Sequence, residues 1–157
     1  MTPLVKHLLL ALALGLSAFG CSKKNTTDPV TPTPSNTGSY KLDGRLVNCT
    51  GQTTLYSPAG GNVDYLFVRL TTTPQPAAGA EALSVEFSKT TGQPVSAYRS
   101  TSIVLFRNQQ QPVFFAQSNT PFSITSTGGY TGTFATTSVS LSTPVTITNG
   151  VYMDVHQ

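Results

Sequence analysis

The chain has 157 residues, which is enough for one ordinary domain. Charged residues make up only 10% of the chain, against about 25% in typical soluble domains, whereas a hydrophobic content of 38% argues against general disorder. The net charge of +3 includes Lys6, Lys23 and Lys24 near the amino terminus. The remainder is close to neutral, so it lacks the basic stripe that a nucleic-acid partner needs.

The first predicted element is a cleaved signal peptide over residues 1–20. A short basic opening is followed by an apolar run from Leu8 to Phe19 and then by Gly20-Cys21. This run fits the apolar region of an export signal, and it is too short for a transmembrane helix, which needs about 20 apolar residues.

The end of this segment resembles the lipobox of bacterial lipoproteins, in which a small residue precedes the cysteine that is lipidated. Gly20-Cys21 carries the resemblance, and it implies a membrane anchor through lipid on Cys21. More than one acyl chain is needed for stable anchoring. Ala18 and Gly20 also satisfy the rule for ordinary secretory cleavage, so the alternative is a secreted protein that begins at Cys21.

Residues 21–39 are predicted to be a disordered tether. They are rich in Pro, Thr and Ser and hold Pro29, Pro32 and Pro34, which favour an extended, solvated chain. The lipoprotein resemblance implies an outer-membrane destination, because Ser22 follows the cysteine. Lys23-Lys24 stands where surface-exported lipoproteins often carry acids, which indicates the periplasmic face, with surface exposure as the alternative.

Residues 40–157 are predicted to form one all-β domain, an antiparallel sandwich or barrel, because period-two alternation recurs and helical periodicity does not. Turn residues separate the predicted strands. These strands are 40–48, 63–71, 81–88, 101–107, 112–117, 121–127, 130–137 and 144–155.

Alternation within these strands also predicts which side chains face the core. The predicted inward set is Leu42, Leu46, Leu83, Val85, Phe87, Phe122, Ile124, Tyr130, Phe134, Val145 and Ile147. Asn149-Gly150 interrupts the last strand, and it predicts either a type I′ hairpin or a glycine bulge in a continuous strand.

Near the carboxyl end, Gly129-Tyr130-Thr131-Gly132-Thr133-Phe134 is followed by the run from Val145 to Tyr152. These residues resemble the closing strands of small uncharacterised lipoproteins of Bacteroidota. The resemblance implies a fold and a location, and it brings no activity with it.

No catalytic or metal site is predicted. If Cys21 is acylated, Cys49 has no disulfide partner, and we expect a buried, inert thiol because the mature chain's one histidine, His156, lies at a frayed terminus. Glu81 and Glu86 point to opposite faces of a strand, so they do not form a carboxylate pair. We therefore expect neither enzyme activity nor a cofactor.

Two functions are consistent with this sequence. The first is an envelope interaction or structural module with a protein partner, which an uncovered flat edge strand would favour. The alternative is a small-ligand or glycan-binding module, which exposed tyrosines around one concavity would favour. Its candidate residues are Tyr56, Tyr98, Tyr152, Gln109, Gln110 and Gln111, although buried tyrosines are the more common outcome.

The anchor prediction can be tested by metabolic labelling. Radiolabelled palmitate should enter the wild-type protein and be lost in Cys21→Ala, because this substitution removes the thiol that receives the lipid. Label retained in the variant would contradict lipidation at Cys21.

Overall fold

The computed structural model describes residues 35–73, 81–107, 110–117 and 120–157. These residues belong to one compact unit, Pro32–Gln157. The predicted signal peptide, Cys21 and most of the predicted tether lie outside the described residues. Within the described ranges, no helix is long and apolar enough to span a membrane.

The described domain is all-β, as predicted. Nine antiparallel strands form one sheet that curls into a half-barrel, and the helical content is a single 3-10 turn, Val95–Ala97. The strands are β1 Thr37–Leu42, β2 Arg45–Tyr56, β3 Val63–Thr72, β4 Glu81–Thr90, β5 Arg99–Arg107, β6 Val113–Phe115, β7 Phe122–Ile124, β8 Tyr130–Thr137 and β9 Thr146–Val155.

The sheet consists of two meanders. Its strand order is β6-β5-β4-β3-β2-β1-β9-β8-β7, so each hydrogen-bonded neighbour is also a neighbour in sequence except at β1–β9. The first and last strands therefore join a six-stranded meander to a three-stranded one.

The sheet curls back on itself beside β6. Phe115 forms an isolated antiparallel bridge with Ser138, just beyond β8. On either side of this bridge, Ala116 N donates to Thr137 O at 3.0 Å and Val139 N donates to Phe114 O at 2.9 Å. Because β6 and β8 are far apart in the strand order, these bonds require strong curvature.

The curvature encloses a continuous core on the inner face. The largest fully buried side chains are Tyr40, Val47, Leu66, Val68, Leu70, Leu83, Val85, Phe87, Ile103, Leu105, Ile147 and Tyr152. Of the predicted inward set, Leu42, Leu83, Val85, Phe87, Tyr130, Phe134 and Ile147 are buried, while Phe122 and Val145 are partly buried against the core.

The prediction of one strand over residues 40–48 is wrong. Asp43 and Gly44 both have positive φ, 48° and 84°, and they form the two-residue turn of a hairpin between β1 and β2. The turn pairs Leu46 with Lys41 on the outer face, so Leu46 is 58% exposed instead of inward. β1 also begins at Thr37, so residues 37–39 belong to the sheet and not to the tether.

The prediction that Ile124 belongs to the core is also wrong. Its side chain lies on the inner face, opposite Tyr130, but the residue ends the three-residue strand β7 and is 46% exposed. β6 and β7 are both shorter than the predicted strands at 112–117 and 121–127. Because the strands at the edge of the sheet pair over only three residues, little neighbouring sheet covers the side chain of Ile124.

Asn149-Gly150 forms a bulge, and the hairpin alternative is wrong. β9 runs continuously through both residues, and two β9 residues stand opposite Tyr40 of β1. Asn149 takes the positive φ of 52°, whereas Gly150 does not have a positive φ. Glycine is needed at position 150 because a Cβ there would overlap the ring of Phe134.

Gly150→Val should therefore lower the free energy of unfolding by about 1–3 kcal/mol, the usual cost of overpacking a core. The cause is the clash with Phe134 and not backbone strain. Urea unfolding measures the effect, and adding Phe134→Leu should recover part of the loss. An unchanged midpoint in Gly150→Val would contradict the close packing.

Candidate functional site

The residues predicted for a glycan site do not come together. Tyr98 and Tyr152 are buried in the core. Tyr56 is exposed, and it lies at the end of the sheet where β4 connects to β5, here called the Tyr98 end.

The predicted amides are elsewhere. Gln110 and Gln111 are exposed and follow β5 at the opposite end of the sheet, here called the Asp43 end. Gln109 lies outside the described residues. The predicted combination of tyrosines and amides is therefore not assembled around one concavity in the described part of the chain.

The outer face instead carries an aromatic row, formed by Tyr56, Tyr65 and Phe67. Tyr56 lies directly opposite Tyr65 in the β2–β3 pair, and their ring centroids are 6.2 Å apart. Phe67 follows two residues along β3, and its ring is 6.2 Å from that of Tyr65 and within 19° of parallel. The row is an apolar ridge, and the outer face carries further exposed apolar side chains on other parts of the sheet, namely Leu46, Phe106 and Phe114.

Polar side chains border the aromatic row. Phe67 lies between Thr54 on β2 and Glu86 on β4, and Arg69 is exposed beyond it on β3. An apolar centre with a polar border is the usual anatomy of a protein-binding surface.

The sequence signal for the aromatic row was partial. β3 carries apolar residues on both faces, and within the described chain its outer aromatic residues, Tyr65 and Phe67, are only partly buried. Tyr56 fell outside the predicted strands, because the length of β2 depends on the Asp43-Gly44 turn.

Cys49 is buried and free, as predicted. Burial, reinforced by the negative charge of Glu81, raises the pKa of its thiol to about 12. The thiol therefore stays protonated at neutral pH, and Cys49 is not a nucleophile.

Glu81 is a buried carboxylate with structural partners. Its Oε1 accepts hydrogen bonds from Tyr40 Oη at 3.1 Å and Arg45 Nη2 at 3.4 Å, and its Oε2 forms an ion pair with Arg107 Nε at 3.6 Å. Glu86 lies on the outer face and accepts from Ser102 Oγ at 3.0 Å. The two acids are on opposite faces, as predicted.

His156 is held in place, so its predicted position at a frayed terminus is wrong. Its backbone N donates to Asn36 Oδ1 at 2.8 Å, and its carbonyl accepts from Thr53 N at 2.8 Å. The side-chain Nε2 lies 3.1 Å from Asp154 Oδ1. These contacts attach the end of the chain to the residues before β1 and to β2.

Asp154 is the centre of a small polar cluster at the Tyr98 end. The hydroxyls of Thr125 and Thr127 donate to the same Asp154 Oδ1 that His156 contacts. These hydrogen bonds, with those from the threonines largest, lower the pKa of Asp154 from 3.8 to about 2. Because the imidazole and the hydroxyls meet at one carboxylate oxygen, the cluster is not arranged as a base and nucleophile.

Among the described residues, no group of three or more His, Cys, Asp or Glu side chains could hold a metal ion. Comparison of the chain with family models, curated proteins and solved structures finds no match. The geometry of the domain is therefore the basis for the functional argument.

Asp154→Asn should lower the urea midpoint at pH 7, because a neutral amide accepts the threonine hydrogen bonds less strongly than a carboxylate. Asparagine tolerates the positive φ of 48° at this position, so the backbone should be unaffected.

The difference between wild type and Asp154→Asn should depend on pH. Because the folded-state pKa is lowered, the stabilisation by the carboxylate is fully present above 3.8 and is lost as the pH falls through about 2. Urea midpoints measured across this range should therefore converge. A constant difference down to pH 2 would contradict an ionised Asp154 at the centre of the cluster.

Proposed function

We propose that this protein is an envelope lipoprotein, anchored through lipid on Cys21 at the periplasmic face of the outer membrane, whose β domain is a non-enzymatic interaction or structural module. The signal-peptide pattern and the Pro/Thr spacer support the anchor. The single observation that carries the interaction role is the aromatic row Tyr56–Tyr65–Phe67 on the outer face of the sheet.

A protein surface is the partner that this row fits best. Aromatic residues are enriched in the centres of protein interfaces, where rigid rings bury a large area at small entropic cost. The rings of Tyr56, Tyr65 and Phe67 are already ordered by contact with one another, so little conformational freedom would be lost on binding.

The position of the row on the sheet also favours a protein partner over a glycan. The amides predicted for a glycan site, Gln110 and Gln111, are at the other end of the domain and do not join the row. The row is a ridge on the outer face, which suits the broad surface of another protein.

Site-specific photocrosslinking in cells tests this proposal. A photoreactive phenylalanine analogue would replace Tyr56, which is 56% exposed, or Leu46, which is 58% exposed on the same face of the same strand. We expect a discrete adduct from position 56 and none from position 46, with a peptide partner identified by mass spectrometry. The adduct should be lost when Phe67→Ser is added.

Equal adducts from both positions, or none from position 56, would contradict docking at the aromatic row. An adduct that carries carbohydrate and no partner peptide would contradict a protein partner and support the glycan-binding alternative.

A further inference from the structure

A cleft of about 460 Å³ opens at the Tyr98 end of the domain, between the start of β5 and the start of β7. Its walls include Tyr98, Arg99, Ser100, Pro121 and Phe122. This volume lies within the range of about 300–1,000 Å³ that is typical of small-molecule sites. The cleft is separate from the aromatic row.

A β-bulge in β5 turns Ser100 toward the interior. Glu86 pairs with Ser102, but the next β4 residue, Phe87, pairs with Ser100, so Thr101 is the extra residue. The bulge places Ser100 on the same face as the buried ring of Phe87. Bulges commonly re-aim side chains beside functional sites.

Ser100 brings an unsatisfied polar group to the wall of the cleft. Its Oγ is buried and has no hydrogen-bond partner among the described residues. Of the buried side-chain atoms in this condition, Ser100 Oγ is the one that belongs to a cleft residue. A buried hydroxyl without a partner is costly, but this oxygen has no open surface, so it lies behind the wall of the cleft and does not contact a bound ligand.

Arg99 supplies a positive charge that is already oriented. Its Nη1 donates to Ser96 O at 2.9 Å and to Tyr98 O at 2.8 Å. Those two bonds fix the plane of the guanidinium group and do not use Nε or Nη2. A guanidinium with two such donors is suited to bidentate binding of a carboxylate.

The other cation near the cleft is already neutralised. Lys89 Nζ lies 5.3 Å from the centroid of the Tyr98 ring, and it forms an ion pair with Asp64 Oδ2 at 2.5 Å. Arg99 has no such acidic partner in the described part of the chain. The charge available to an anion in the cleft is therefore that of Arg99.

The apolar wall of the cleft is aromatic. The ring of Phe122 is 5.1 Å from that of Phe87 and 6.1 Å from that of Tyr98, measured between centroids. Phe122 is only partly buried by these contacts. The part of its ring that stays open offers a surface for an aromatic ligand.

We propose that this cleft binds a small aromatic carboxylate, with the carboxylate held by Arg99 and the ring against Phe122 and Tyr98. Burial raises the pKa of Tyr98, so the phenol stays neutral and does not repel the anion. The site does not depend on the proposed docking role of the aromatic row.

Ligand-observed ¹⁹F NMR on the full-length protein tests this site with 4-fluorobenzoate as the probe. We expect saturable binding of 4-fluorobenzoate and binding about tenfold weaker, or none, for the uncharged analogue 4-fluorobenzamide, since a charge-assisted bidentate contact is lost. Arg99→Gln should weaken binding of the carboxylate by a similar factor.

Two further variants separate the site from general effects on folding. Ser100→Ala removes a hydroxyl that has no open surface in the cleft, so it should leave binding of 4-fluorobenzoate nearly unchanged. Arg69→Gln removes another exposed arginine, on the outer face of β3, and should leave binding unchanged.

No saturable binding of 4-fluorobenzoate at millimolar concentration would overturn the proposal. Equal binding of the amide, or equal losses in Arg99→Gln and Arg69→Gln, would also overturn it. This experiment measures binding of 4-fluorobenzoate and not of a protein partner. A negative result here is therefore distinguishable from a negative crosslinking result at Tyr56.

Discussion

The pairing of β1 with β9 is the contact on which the rest of the domain depends. It is the one junction in the sheet between strands that are not consecutive in sequence, and it joins the six-stranded meander to the three-stranded one. Aromatic rings fill the inner side of this junction. The ring centroid of Phe134 on β8 is 6.3 Å from that of Tyr40 on β1 and 6.4 Å from that of Tyr152 on β9.

This junction also explains where the unusual features of the domain lie. Because β9 must follow both β1 and β8 around a tight curve, it contains two bulges, each with an Asn or Asp residue at positive φ, Asn149 and Asp154. Asp154 then binds the threonines of the β7–β8 loop. A geometric requirement of the sheet thus becomes a polar cluster that holds the end of the chain.

The cleft is a second consequence of joining the meanders. Phe122 belongs to the short meander, whereas Phe87, Tyr98 and Ser100 belong to the long one. The ring of Phe122 meets those of Phe87 and Tyr98 because the sheet curls. The bulge at Thr101 turns Ser100 inward at the same place. The proposed ligand would therefore contact both halves of the domain.

The sequence was sufficient to predict the all-β class and the inner faces of the regular strands. β4 is the plainest example, because strict alternation placed Leu83, Val85 and Phe87 in the core. The errors arose where a turn or bulge shifts the alternation by one residue. The Asp43-Gly44 turn moved Leu46 to the outer face.

In β9 each of the two bulges shifts the alternation of buried residues by one position. Ile147 is buried before the first bulge, Gly150 and Tyr152 are buried between the two, and Val155 is buried after the second. Period-two alternation read along the sequence does not reveal such shifts, since the extra residue is defined only by its partner strand. For the same reason the cleft could not be predicted. Its residues come from segments that are distant in sequence, and the inward direction of Ser100 depends on a bulge.

Native-state hydrogen exchange, measured by NMR on the protein, tests most directly whether the β1–β9 pairing unites the two meanders. The account predicts that core amides of the long meander, such as Leu66 and Leu105, exchange with the same opening free energy as those of Phe134 and Ile147 in the short one, because both open only in global unfolding. Exchange from β8 and β9 at a clearly lower opening free energy than from β3 and β5 would contradict it, since the meanders would then be separate cooperative units.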